Sequence, residues 1–154
     1  MKVGIKKLHE SEWLVHVGNA SIKLDHFSVA LLNITLEHLL ALQHGDEHST
    51  LKSYIGLGLR LKQLKSTDMQ KFIQTIENKD LLNLMLVAND REFNDKVMEN
   101  VGGILSKQFE TDLAGATMPE MQQAKESIKK IVERLFELEG LGQLEIINEE
   151  TRYI

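Results

Sequence analysis

The chain contains no cysteine. Disulfide staples, thiolate metal sites and cysteine nucleophiles are excluded together, and the composition agrees with a reducing compartment. Long apolar runs are also missing. The best candidate, Phe27 to Leu42, is interrupted by Asn33, Thr35, Glu37 and His38, so it falls short of the roughly 20 apolar residues of a membrane span. Lys2, Lys6 and Lys7 are not followed by an apolar segment of the kind that directs export. A cytoplasmic protein without membrane insertion is therefore expected. Cations are in deficit, with a net charge of −5, which argues against a broad nucleic-acid surface. A glycine-rich phosphate loop is lacking too. Gly56-Leu57-Gly58 begins like a dinucleotide fingerprint, but Leu61 stands where the third glycine is needed.

What is present is enough for a folded core: 154 residues, 42% hydrophobic and 27% charged. Val3 and Ile5, then Trp13, Val15 and Val17, alternate with polar neighbours, and Gly18-Asn19 suits a tight hairpin before Ser21-Ile22-Lys23-Leu24. The pattern predicts a three-stranded antiparallel meander over residues 2–24. Asp25 is placed to cap a helix running to about Gln43, apolar on nearly every side. That helix is expected to cover Trp13, Val15, Val17, Ile22 and Leu24.

Residues 51–64 are ambiguous, because Thr50 suits a helix cap while Ile55, Leu57, Leu59 and Leu61 alternate as a strand would. Beyond them the signals are helical. Thr67 with Gln70, Asn89 with Glu92 and Thr117 with Glu120 have capping-box spacing, Asn100 is a further candidate cap, and Pro119 suits a first turn. The apolar faces are Met69, Phe72, Ile73 and Ile76; Leu81 to Val87; Phe93, Val97 and Met98; and Val101, Leu105, Phe109 and Leu113. Gly115 is expected to close the fourth of these helices. Met121, Ala124, Ile128, Ile131, Leu135 and Leu138 then form a heptad-like stripe, read either as the core face of a bundle helix or as a dimerising seam. Leu144, Ile146 and Ile147 suggest a short closing strand. The fold expected is mainly α: a β-meander plus apolar helix over residues 1–48 and a stack of short helices over 49–154.

His44-Gly45-Asp46-Glu47-His48 is the one cluster whose residue types suit a metal. His44 and His48 are four apart, as two ligands on one helix face would be. Gly45 argues instead for a helix end and a solvated loop, so the site is expected to be metal-free. Catalytic residues and cofactors are accordingly expected to be none. A metal-dependent enzyme built on His44 and His48 is the alternative.

Several stretches agree in order with one known domain. Asp68-Met69-Gln70 through Lys79-Asp80-Leu81, Ala88 to Lys96, Glu99-Asn100-Val101, and Met121 to Leu135 with Ala124, Ile128 and Arg134-Leu135 resemble the C-terminal part of the flagellar motor switch protein FliG. The resemblance covers about residues 64–148, with a shortened turn near Gly115 and an insertion around Leu141. It implies an armadillo-like helical stack and a non-enzymatic, bacterial rotor domain that presents a charged helix to the stator. The aligned charged positions fall on Val87, Ile104, Thr111 and Asp112, and only Asp112 carries a charge. A helix face of Ile104, Lys107, Glu110, Thr111 and Asp112 is the expected interaction surface, and its partner another bacterial protein. Isoleucine cannot replace a guanidinium in a charge-steered contact, so the expected role is adaptor-like, related to the flagellar motor but without most of the torque charges. A homo-oligomerising regulatory domain, using the Met121–Leu138 stripe or the sheet edge, is the other reading.

Overall fold

The computed structural model describes residues 1–41 and 50–146. The protein is mainly helical, with a small three-stranded antiparallel sheet at its N-terminus. Its backbone gathers into two compact units, Met1–Ser53 and Tyr54 onward.

In the first unit, β1 (Val3–His9), β2 (Glu12–Val17) and β3 (Ala20–Asp25) form a meander in the order β1-β2-β3. Gly18, at φ +61, supplies the left-handed backbone that the second hairpin requires. The register sets Val3, Val17 and Ala20 side by side, then Ile5, Val15 and Ile22, then Lys7, Trp13 and Leu24. Directly opposed residues share a face, so one side of the sheet is a nine-residue apolar grid with a single charge. The other side holds Lys6, His16, Ser21 and Lys23. Asp25 caps α1 (His26–Ala41) as expected, accepting from the Ser28 N–H at 2.8 Å. The helix packs on β2 and β3, with His26 5.4 Å from the Trp13 ring.

The cover is partial. Val15 is buried and Trp13 and Leu24 are half-buried, but Val17 and Ile22 stay exposed. One helix is too narrow for a three-stranded face, so the expectation that α1 covers all five residues is corrected. Nor is α1 enclosed on all sides, since Leu36, Leu39 and Leu40 are exposed. Farther along, the Thr35 hydroxyl donates to the buried Ser53 at 3.2 Å.

In the second unit, α2 (Thr50–Gly58), which begins in the first, leads into a 3-10 turn, Leu59–Gln63. The strand reading of residues 51–64 is thereby excluded. Gly58 explains itself here: a Cβ would lie 2.8 Å from Leu84, so the glycine permits close helix packing rather than phosphate binding. Then come α3 (Ser66–Ile73), α4 (Asn78–Ala88), α5 (Arg91–Asn100), α6 (Gly103–Gly115) and α7 (Met121–Gly140). The longest, α7, packs mainly on α4, burying Ala124, Ile128, Ile131, Leu135 and Leu138. Its stripe is thus a core face and is not open as a dimerising seam; only Met121 at its start is exposed.

The helix starts differ in detail from the sequence reading. Lys65, Gly102 and Glu120 stand at the N-caps of α3, α6 and α7, with no side-chain cap bond. Thr67 therefore lies inside α3 and Pro119 before α7. At α5 the cap is Asp90, which accepts from the Phe93 N–H at 2.8 Å. Asn89 instead ends α4 in the left-handed conformation at φ 45, where asparagine is tolerated. Asn100 donates back to the Lys96 carbonyl. No closing strand forms among the described residues after α7; Leu144 inserts into the core, and the Glu145 N–H donates to buried Asp68 at 3.2 Å.

Candidate interaction surface

Helix α6 leaves Gly102 at φ +84 and ψ 160, a conformation essentially restricted to glycine, although nothing would obstruct a Cβ there. Conformation rather than space dictates the residue. Side chains three and seven apart share a helical face, so Ile104, Lys107 and Thr111 line one stripe. Phe109, buried on the opposite side, anchors the helix, while Leu105 and Leu113 are half-buried. Glu110 is exposed on one flank of the stripe and Asp112 half-buried on the other.

Ile104 is 91% exposed. It contributes almost nothing to the core, and it stands at the start of α6, near the positive end of the helix dipole. The Thr111 hydroxyl donates back to the Lys107 carbonyl at 3.1 Å, so its proton is already engaged. What α6 offers a partner is one bare aliphatic side chain, one ammonium and two carboxylates. Val87 lies on α4 and is half-buried. The four positions at which the resemblance places charges therefore do not form one uniformly open surface.

Two polar features escaped sequence reasoning. In the first, the Asn83 amide donates to Ser127 at 2.9 Å, and the Ser127 hydroxyl donates to Asp80 at 2.8 Å. All three residues are buried, and they join α4 to α7 inside an otherwise apolar interface. Asp80 and Asn83, three apart in the apolar α4 segment, and Ser127 beside Ile128 were the available signal. A cavity of about 170 Å³ adjoins this network, lined also by Glu77, Lys79, Gln123, Glu126 and Lys130. Ser127 has a carboxylate rather than an imidazole as its acceptor, so the network resembles an interhelical clasp more than a hydrolytic dyad.

The second feature surrounds the 3-10 turn. Lys62 pairs with Asp90 at 3.0 Å and with Glu92 at 3.7 Å. The Lys96 ammonium donates to the Lys62 carbonyl at 2.7 Å and to the Leu64 carbonyl. It thereby satisfies carbonyls left over where the turn ends. The Phe93 N–H, and then Lys62, hold the Asp90 carboxyl below the ordinary carboxylate value. The hydrogen bond to Asp90 holds the Lys62 ammonium above its own. Burial holds the Glu139 carboxyl above its ordinary value, against the opposing pull of Arg60.

No group of three or more histidine or acidic side chains suited to a metal occurs among the described residues. His44, Asp46, Glu47 and His48 lie outside them. No helix among the described residues is long and apolar enough to cross a membrane.

The family model of the FliG C-terminal domain matches residues 59–146. The chain belongs to the FliG C-terminal domain family. No curated protein and no solved structure matches it. The FliG match begins at Leu59, a few residues before the resemblance noted at Leu64, and so takes in the 3-10 turn fastened by Lys96. It spans α3 to α7, including the α6 surface, while the sheet and α1 fall outside it.

Proposed function

We propose that this FliG C-terminal domain relative is a non-enzymatic interaction module. In this reading it is a cytoplasmic bacterial protein that binds another protein through the outer face of α6, formed by Ile104, Lys107, Glu110, Thr111 and Asp112. Membership of the family supports a motor-related interaction role. The observation that carries the finer reading is Ile104, bare to solvent, where the resemblance places the switch protein's arginine. An exposed aliphatic residue among charges favours a partner with a small apolar contact ringed by polar groups. A stator built to meet a guanidinium gains nothing from it. The partner surface is therefore different from, or reshaped relative to, that of the torque-generating domain.

A chimaera carrying residues 64–148 in the rotor of a motile bacterium tests this directly. The expected strain folds and assembles the hybrid rotor but stays paralysed. Adding Ile104→Arg, Val87→Lys and Thr111→Asp together should recover measurable rotation. Normal swimming by the unsubstituted chimaera would overturn the charge argument and restore a torque role.

A further inference from the structure

The apolar grid of the N-terminal sheet has a covered half and a bare half. Val3, Ile5, Val17 and Ile22 are 68%, 63%, 43% and 57% exposed, and Met1 beside them is 98% exposed. All four β residues belong to the two rows of the grid farthest from Trp13. Its one charge, Lys7, stands in the remaining row, over the Trp13 ring at 5.5 Å. The bare half is consequently a set of exposed β-branched side chains without a charge, Val3 and Val17 in the end row and Ile5 and Ile22 on either side of buried Val15.

We propose that this face is the contact between two copies of the chain, packed sheet against sheet about a two-fold axis. Laid together, two such faces remove on the order of 1,000 Å² from water, which reaches the lower bound of a specific interface. Sheets with apolar inner faces pack in this way about 10 Å apart. A two-fold axis near Ile5 and Val17 would bring no charged member of the grid against its own copy, since Lys7 lies in the far row. The exposed part of the face therefore needs nothing from a partner that it does not itself supply: uncharged aliphatic side chains. An anionic membrane is the weaker occupant, because the chain carries a net charge of −5 and none of Val3, Ile5, Val17 and Ile22 is a cation. The inference goes beyond the α6 reading and is independent of it. It uses residues 1–25, outside the matched domain.

Sedimentation of the full chain over a wide concentration range should give twice the chain mass. Ile5→Glu and Ile22→Glu should each weaken association at least about tenfold, the cost expected of burying one unpaired charge in such a contact. Both sites are exposed, so the variants' circular dichroism should match the parent's. A second measurement remains decisive even if those variants misfold. Because the chain has no cysteine, Val17→Cys introduces a unique thiol on the apolar face and Ser21→Cys one on the polar face. Mild oxidation should cross-link the first into a dimer and spare the second. A wild-type chain that stays monomeric throughout, with or without binding to anionic vesicles, would overturn the proposal. So would equal cross-linking of the two cysteine variants.

Discussion

The two compact units solve the problem of a hydrophobic core to different degrees. From Leu57 onward, Leu61, Met69, Phe72, Leu81, Leu84, Phe93, Val97, Ile128, Ile131 and Leu135 are completely enclosed. Among the described residues of the first unit, the buried apolar side chains are Val15, Phe27 and Ala30. A short meander with one helix has too much surface for its volume to enclose its own grid. The helical unit is therefore the self-sufficient part, and the sheet is the part with unspent apolar surface.

The sharpest way to break that contrast is at the centre of the helical core. Phe93→Ala removes a fully enclosed ring and should cost about 3–5 kcal/mol in denaturant unfolding. A loss below about 1 kcal/mol would mean that the unit is not packed as described. Next in size is Ser127→Ala, which strands Asp80 and Asn83 between α4 and α7. Its expected cost is about 1–3 kcal/mol, and replacing all three residues by apolar ones should cost less than that single change.

Trp13→Ala sharpens the contrast from the other side. A fully buried large side chain is worth roughly 1.5–3 kcal/mol, and half-buried Trp13 should cost about 1–2 kcal/mol. A value matching that of Phe93→Ala would show that the sheet unit has a complete core after all.

The smallest expected effect concerns Asp90. Asp90→Asn keeps a cap acceptor for α5 but loses the charge, and should cost less than about 1 kcal/mol at neutral pH. Because the folded-state value of Asp90 is depressed, its contribution is present above the ordinary carboxylate range and is lost as pH falls through the depressed value. Wild type and Asp90→Asn should therefore converge in melting temperature in strong acid. Lys62, held high, contributes fully below the ordinary lysine value, and its part fades as pH rises through the raised one.

Much of this architecture was legible in residue order. Alternation gave the three strands, Asp25 the start of α1, and the spacing from Ala124 to Leu138 the buried face of α7. Caps were legible only approximately. Asn89 and Asp90 are adjacent and both suit a cap, and the backbone assigned one to end α4 and the other to begin α5. That choice depends on how tightly two helices turn, which a one-dimensional pattern does not contain. Coverage was not legible either, because periodicity shows that Val17 and Ile22 share a face but not how wide the covering helix is. On α6, the apolar spacing marked Phe109 as an inward residue, but not that Thr111 would donate to the Lys107 carbonyl. The Lys96 bonds join it to carbonyls 34 and 32 residues away, a distance across which no local rule operates.

The bond from Glu145 to Asp68 spans 77 residues, and it bears on the order in which the chain acquires its structure. A ribosome releases Asp68 long before Glu145. Until Leu144 and Glu145 emerge, that carboxylate lacks its late donor and the core lacks the Leu144 side chain. The helices can form as they are made, but these two contacts wait for the segment that follows α7. A chain cut short before Leu144 would lose both contacts at once, the buried side chain and the bond to α3.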